Sequence, residues 1–297
     1  MTRNRPPFGG FFSPIQKVII MAATTSTTLD DLFVNIIAQA RFTAEEQSLM
    51  LGLVTQYNIG SEAGKTIQVP KYPAIAAADL TEGSDMSSTT VSTSSVSVTV
   101  GEVGAQVLLT DVASMGAGNP AVELGTVLGN AIATKMDKDL IALFDGFSSS
   151  FGSAGAETTV ADLFKAAATL RANKVVGPMA AVVHPFQAFA IKSGLTNTFA
   201  NPNGGDVQNE AMRTGYVGTI AGIDVYESAN ITVDGSGDCK GAVFAPEAIA
   251  IAMKRDFNIE PQRDASLRAI ELNATAVYGV AELDDSYGVE ILGDATL

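Results

Sequence analysis

Few residues in this chain have the type and spacing to do chemistry. Gly60-Ser61-Glu62-Ala63-Gly64-Lys65-Thr66 resembles a phosphate loop, in which backbone amides and a lysine cradle phosphate oxygens. Its glycines are one residue too close, and Glu62 would repel a phosphate. Thr66 also opens an alternating β pattern ending at Pro70, where such a loop needs a helix N-terminus. His184 is the only histidine, so it alone could be the base of a nucleophilic triad. It precedes Pro185 at the end of an apolar run, no G-x-S-x-G elbow exists, and a structural role is expected. The acid pairs Asp30/Asp31, Glu45/Glu46 and Asp284/Asp285 fall at helix starts or in turns, where capping accounts for them. Thr232 to Asp238 hints at a calcium loop but lacks the alternating ligands and terminal Glu, and it reads better as a turn. Cys239, the one cysteine, reads as a small residue at the start of a strand, and it rules out an intrachain disulfide and a cysteine zinc site. Asn230-Ile-Thr and Asn273-Ala-Thr match glycosylation sequons, but nothing indicates secretion. On these grounds no catalytic residue, cofactor or metal is expected, and the chain reads as a non-enzyme.

Composition narrows the class. The chain has 297 residues, 46% hydrophobic and 17% charged, which is ample for a core. The net charge of −14 argues against broad phosphate-backbone binding, which needs clustered Lys and Arg. A wall facing DNA can still be acidic, because repulsion keeps DNA from sticking to it. No run approaches the ~18 apolar residues of a membrane span. In the first twenty residues Arg3, Arg5 and Lys17 are the only charges, and Pro and Gly break any helix. Residues 1–27 read as a basic arm, or as an artefact of the start site, with Met21 as an alternative start; the apolar run VIIMAA is too short for a signal peptide.

The elements that would position any site follow from periodicity. Asn119 to Phe147 reads as one long helix: Asn119 as N-cap, Pro120 at the first position, Glu123 in the first turn. Leu124, Leu128, Ala131, Ile132, Met136, Leu140, Leu143 and Phe144 recur at three- and four-residue steps, and Gly146 stops it. From Pro120 to Phe144 the helix would be ~37 Å long at ~1.5 Å per residue. Thr28–Phe42 reads as an amphipathic helix, and a second helix is expected from Thr43, with Glu46 in a capping box and Leu49, Leu53 and Val54 apolar, ending at Gly60 and Gly64. Thr66–Val69 alternates as a strand. Between Ser84 and Thr99 eleven of sixteen residues are Ser or Thr. Val96, Val98 and Val100 alternate there, and with Ala105–Thr110 they read as a long two-stranded excursion with almost no apolar side near its tip. An isolated hairpin is marginal in water, so it should lie on something else, a neighbouring copy being expected. The alternative is a surface loop that packs on nothing.

After the long helix and a Gly/Ser linker, Thr159 caps a helix with Asp162 as capping-box partner. Met179–Val183 reads as a buried strand, and Pro185 opens a helix closed by Gly194. Residues 195–215 read as a polar loop, Tyr216–Ala221 and Ile223–Tyr226 as β segments, and Ala242–Ala245 as a strand. Pro246 is expected to open a short helix through Met253. Ser266–Leu283 reads as one long strand and Tyr287–Leu292 as the last. The mix is α+β, with helices and strands partly segregated.

Read in order, these elements resemble tailed-phage major capsid proteins of the Hong Kong ninety-seven type. VPKYPAIAAADLTEGSDMSSTT and VSVTVGEVGAQVLLTD resemble the family's extended loop (E-loop) and its return, with Thr81-Glu82-Gly83 matching its Glu-Gly. NPAVELGTVLGNAIATKMDKDLIALFDG resembles the spine helix and its close. TVADLFKAAATLRAN with AAVVHPFQAFAIKSG resembles the elements after the spine, with His184-Pro185 where Asn-Pro is frequent. VGTIAGIDVYESANI with GAVFAPEAIAIAMKRDFNIEPQRD resembles the axial strand pair and return segment. The likeness spans roughly residues 28–292.

The resemblance implies five regions: residues 1–58, N-terminal arm and helices; 59–112, extended-loop hairpin; 113–173, peripheral domain with spine helix; 174–253, axial domain; 254–297, return strands of the peripheral domain. Assembly residues would be Lys65, Lys71, Asp79, Glu82, Gly83, Asp85 and Ser95 on the loop, and Asn119, Pro120, Leu124, Leu128, Ile132, Met136 and Leu140 on the spine helix. The implied role is a virion subunit that forms hexamers and pentamers of a closed icosahedral shell, around double-stranded DNA bound without sequence specificity. Assembly would occur in the bacterial cytoplasm with a separate scaffolding protein, a portal and decoration proteins, and without a membrane. Some relatives crosslink a loop Lys to a neighbour's Asn; Lys65 and Lys71 flank the loop, but no matching Asn and Glu can be assigned and no crosslink is expected. A nanocompartment shell of the same fold, a nucleotide enzyme built on the Lys65 loop and a surface adhesin remain as alternatives.

Overall fold

The computed structural model describes residues 48–60, 64–116, 121–198 and 219–296, apart from the single positions 74, 78, 84, 87 and 89. The arm at 1–27, the Thr28–Phe42 helix, the start of the second helix, Asn119, Pro120 and most of the 195–215 loop lie outside these residues.

The chain forms twelve described strands and four described helices. They are β1 (Thr55–Asn58), β2 (Thr66–Lys71), β3 (Ser94–Thr99), β4 (Gly101–Thr110), α1 (Asp111–Gly116), α2 (Ala121–Ile141), β5 (Ser150–Gly152), α3 (Val160–Ala172), β6 (Met179–Val183), α4 (Pro185–Thr198), β7 (Thr219–Ile220), β8 (Ile223–Glu227), β9 (Asp238–Phe244), β10 (Ile249–Asp264), β11 (Ala269–Glu282) and β12 (Gly288–Asp294). One sheet runs β1-β10-β11-β4, a second β5-β12-β9-β6-β8-β7, and β2 and β3 pair alone.

The long helix is present, and a 3-10 turn, Ala142–Gly146, extends it. Leu128, Ile132, Met136, Leu140 and Phe144 are buried and Leu124 is half-buried, as the spacing predicts; Ala131 is exposed, so the stripe is narrower there. This stripe lies on Ile249, Ile251, Leu272, Ala274, Ala276 and Tyr278 of the β10–β11 hairpin. The centre of the second sheet, strands β6, β9 and β12, is buried on both faces. Ala181, Val183 and Val243 face α3 and α4, while Val182, Ala242 and Phe244 face the α2 core. That double burial is why Met179–Val183 is a continuous apolar run instead of an alternating one. At the head of α3, the Asp162 carboxylate accepts the Thr159 hydroxyl at 2.7 Å and the Thr159 N–H at 3.2 Å, the capping box the sequence predicts.

Four expectations are overturned, the smallest being that Gly194 does not close the helix opened by Pro185, which runs through it to Thr198. The second helix does not continue through Val54: Met50–Gly52 is a single 3-10 turn and Thr55–Asn58 is strand β1, parallel to β10. Thr55 and Tyr57 suit a strand, and the edge of β10 offers them a ladder. The helix expected from Pro246 to Met253 is a 3-10 turn, Pro246–Ala248, followed by β10. A short, wholly apolar run does not distinguish helix from strand by period, and here the two β-branched residues Ile249 and Ile251 alternate into the core. Fourth, β3 does not pair with β4. It pairs with β2 from Thr66↔Thr99 to Lys71↔Ser94, whereas β4 joins β11. The chain breaks direction at Val100, so each strand finds a different partner.

Candidate assembly surface

The loop that the sequence singles out is a β2–β3 ribbon carrying residues 72–93. Its root is held at three places. Val98 and Val100 are buried with Ile59 and Ala252. The Val100 N–H donates to the Lys65 carbonyl at 2.9 Å, and Lys254 Nζ donates to the Gly64 carbonyl at 3.2 Å. Lys71, at the end of β2, forms an ion pair with Asp284 at 2.7 Å, tying the ribbon to the segment between β11 and β12. Asp284 also caps the following 3-10 turn, accepting the Ser286 N–H at 3.1 Å. Burial pushes the Asp284 pKa up, but these hydrogen bonds and the Lys71 charge outweigh it and leave the carboxyl below its ordinary value.

The crossing at Val100 depends on small residues beneath it. Ala252 and Gly279 face one another across β10 and β11. A Cβ at Gly279 would sit 2.2 Å from the Thr99 carbonyl oxygen and 3.1 Å from Val100 Cα. Glycine is required here by proximity: the backbone of the ribbon root lies directly on that of β11.

Beyond the root, Asp79, Glu82, Gly83 and Asp85 are exposed, and Gly83 has a φ of +82° that reverses the chain. Ser95 is on β3 opposite Pro70. The tip is not devoid of apolar side chains, as its Ser/Thr content suggests. Tyr72, Ile75, Leu80 and Met86 are each more than half exposed, and Val91 is 41% exposed. Sequence reasoning missed these residues, and it missed Asp284, Ala252 and Gly279 as parts of the root. Gly279 did leave a signal, being a glycine interrupting a long strand pattern.

The long helix is fixed at its other end by a buried carboxylate. Asp137 is 1% exposed and accepts Ser48 Oγ at 2.7 Å, Leu49 N–H at 3.0 Å and Met50 N–H at 3.3 Å. It thereby ties the segment entering at residue 48 to α2. Burial raises its pKa despite these donors.

The residues considered for chemistry are absorbed into structure. Thr66 opens β2, so no helix follows Lys65. His184 is buried; its Nδ1 accepts the Phe186 N–H at 3.3 Å, and burial lowers its pKa, keeping it neutral. The Asp234 carboxylate accepts the N–H groups of Ser236 and Asp238 at 2.8 and 2.9 Å, closing a turn around Gly237. Cys239 is buried at the second position of β9, and burial pushes its thiol up to about 12. Near it, a cavity of about 280 Å³ opens between α2 and β9, lined by Lys138, Asp145, Asp234 and Lys240 among others. Lys240, one of the lining residues, is paired with Asp145 and, at 3.5 Å, with Glu290. Among the described residues, no cluster of His, Cys, Asp and Glu could hold a metal ion.

Residues 93–291, about two thirds of the chain, match the family model described as phage capsid protein. No curated protein matches the sequence. Among solved structures, a chain of Mycobacterium phage Che8 is similar at 19% identity and a TM-score of 0.63, covering 77% of this chain and 85% of its own. A capsid chain of cyanophage P-SCSP1u has 16% identity and a TM-score of 0.67, with coverage of 84% and 89%. The SrpI encapsulin of Synechococcus elongatus has 12% identity and a TM-score of 0.63, also covering 84% and 89%. At these identities the structural likenesses establish a shared fold.

Proposed function

The chain belongs to the phage capsid protein family, and from that premise we propose how its parts build a capsid. The protein is a structural, major capsid shell protein of the Hong Kong ninety-seven-type fold, located in the virion as one of many copies. In our reading those copies form hexamers and pentamers that close into an icosahedral shell around double-stranded DNA. Residues 113–173, with α2 as the spine helix, belong to the peripheral domain, and 174–253 to the axial domain, whose sheet β5 and β12 complete. The acidic chain encloses DNA without gripping it. A separate scaffolding protein, a portal and decoration proteins are the expected partners, and assembly takes place in the host cytoplasm.

One observation carries the assembly role: the β2–β3 ribbon is clamped at its root yet presents Tyr72, Ile75, Leu80 and Met86 to solvent. A rigid root with an apolar tip suits an element that reaches over a neighbouring copy, along with the N-terminal arm. Many such contacts, each modest, add up in a closed shell. Negative-stain electron microscopy with sedimentation velocity tests this. Capsomer rings or shells are expected, and replacing residues 74–91 with a short Gly-Ser turn should leave folded subunits that make neither. Normal shells from that variant would remove the loop's role; a persistent monomer from the unaltered chain with scaffold present would remove the shell reading.

The encapsulin likeness, with a TM-score equal to that of the Che8 chain, favours one second reading, a nanocompartment shell. DNA-filled particles isolated from infected cells would decide for the phage, and protein-filled particles for the compartment.

A further inference from the structure

We infer that strand β4 pairs with the β4 of a second copy across a two-fold axis, joining the two sheets into one; this rests on the shell reading above. An open strand edge presents a row of unpaired N–H and C=O groups, and subunits blunt it with short strands, bulges, prolines or charges. The two large sheets do so at three of their four edges, where β1, β5 and β7 are 4, 3 and 2 residues long. Beyond Met253, where β10 outruns β1, the strand carries Lys254, Arg255, Asp256, Pro261 and Arg263. Its register with β11 also shifts there, between Met253 and Arg255 and again between Arg255 and Asn258. β4, the fourth edge, has none of these devices. It is 10 residues long and follows β11 from Gly101↔Tyr278 to Thr110↔Ala269 without a break in register. Glu102 is its only charge, and it holds no Pro. Among the described residues no strand pairs with its outer side, where alternate residues point both N–H and C=O away from β11.

The strand is its own complement. Val103, Ala105, Val107 and Leu109 lie toward the core, while Glu102, Gly104 and Gln106 are exposed. A partner strand must keep this alternation in step, or apolar residues of one copy would fall on the polar face of the other. An antiparallel pair with its two-fold axis at Gln106 does so. Gln106 then faces its own equivalent, Val103 faces Leu109, Ala105 faces Val107, and Glu102 faces Thr110. The Thr110 end is where the cations stand: Arg263 donates both its nitrogens to Asp111, and Arg268 acts on the same carboxylate. Of the other acids near it, Asp264 accepts the N–H groups of Ser266 and Leu267, and Glu271 lies opposite Leu108, nearer the axis. The pairing thus brings Glu102 to the end of its partner that holds Arg268, and no like charges face each other along the strand. Such self-complementarity is what a two-fold interface requires, and main-chain hydrogen bonds supply the adhesion.

Gln106→Cys tests this on assembled shells. It puts two thiols on the axis, where opposed Cα atoms of an antiparallel pair stand about 4.5–5.5 Å apart, within disulfide range. The native Cys239 is buried with its thiol pushed up to about 12 and stays silent. Mild oxidation should yield covalent dimers and nothing larger on a non-reducing gel, whereas Glu102→Cys, distant from its own equivalent, should stay monomeric. Hydrogen exchange over residues 101–110 should slow about ten-fold or more when disassembled wild-type subunits form shells. A Gln106→Cys variant that stays monomeric overturns the inference even where exchange slows, because a different chain then covers the edge. Exchange that is equally slow in the free subunit also overturns it, because the chain then covers its own edge. If wild-type shells form while these arms fail, the capsid reading stands and only the pairing falls; if the wild type never forms shells, both fall.

Discussion

The closest backbone approach at the loop root makes Gly279→Ala the most informative substitution. The added methyl would lie 2.2 Å from the Thr99 carbonyl oxygen and 2.8 Å from its carbonyl carbon. Both are backbone atoms, so no rotamer change relieves the overlap. Overpacking typically costs about 1–3 kcal/mol, and an overlap with backbone belongs at the upper end. Replacing a strand glycine returns roughly 0.5–1 kcal/mol through lower unfolded-state entropy. The expected net loss is therefore about 2 kcal/mol, concentrated where β3 crosses β11. Gly101→Ala is the control. Gly101 is also a strand residue but has nothing within 4 Å of its Cβ position, so the entropic gain stands alone and stability should rise by about 0.5 kcal/mol. Urea unfolding of disassembled subunits measures both, and hydrogen exchange over residues 94–100 should quicken in Gly279→Ala only. If Gly279→Ala proves as stable as Gly101→Ala, the ribbon does not lie on β11 as described, and the account of the loop root fails.

Three further outcomes are expected. Leu128→Asp places a carboxylate at a site 3% exposed on the α2 stripe and should cost several kcal/mol, roughly 3 or more; wild-type melting would refute the register of the helix. Native Cys239 should resist a thiol reagent at pH 8 and react fully in denaturant, because burial holds its thiol near 12; rapid labelling of the folded subunit would contradict its burial. Asp284 has a lowered folded pKa, so its contribution is present above its ordinary value of 3.8 and disappears as pH falls through the folded value. Hydrogen exchange of β2 should therefore quicken in Lys71→Ala at neutral pH, with less than about 1 kcal/mol lost overall because the pair is partly exposed. Below the folded value wild type and variant should converge, and a difference that persists in acid would exclude the ion pair as the anchor.

The sequence by itself determined the local elements wherever a period or a cap is explicit. The α2 stripe, the Thr159–Asp162 box, the buried strand before His184-Pro185 and the long strand ending near Leu283 all depend on neighbours within a few residues. Those interactions are written into the chain in order. The same order, with the absence of a usable base or phosphate loop, carried the resemblance to phage capsid proteins that the family match supports. The tertiary structure alone decided which strands meet. Val96 to Thr110 could pair as one hairpin or divide at Val100, and only the edges offered by β2 and β11 choose the second. Likewise Thr55–Asn58 and Ile249–Met253 become strands because each completes the other's ladder. Lys71 and Asp284 lie far apart in the chain and meet only because β11 returns beneath the ribbon. Local pattern fixes which side of an element is apolar; pairing and anchoring come from contacts distant in sequence, whose closure entropy is repaid only when the whole core forms.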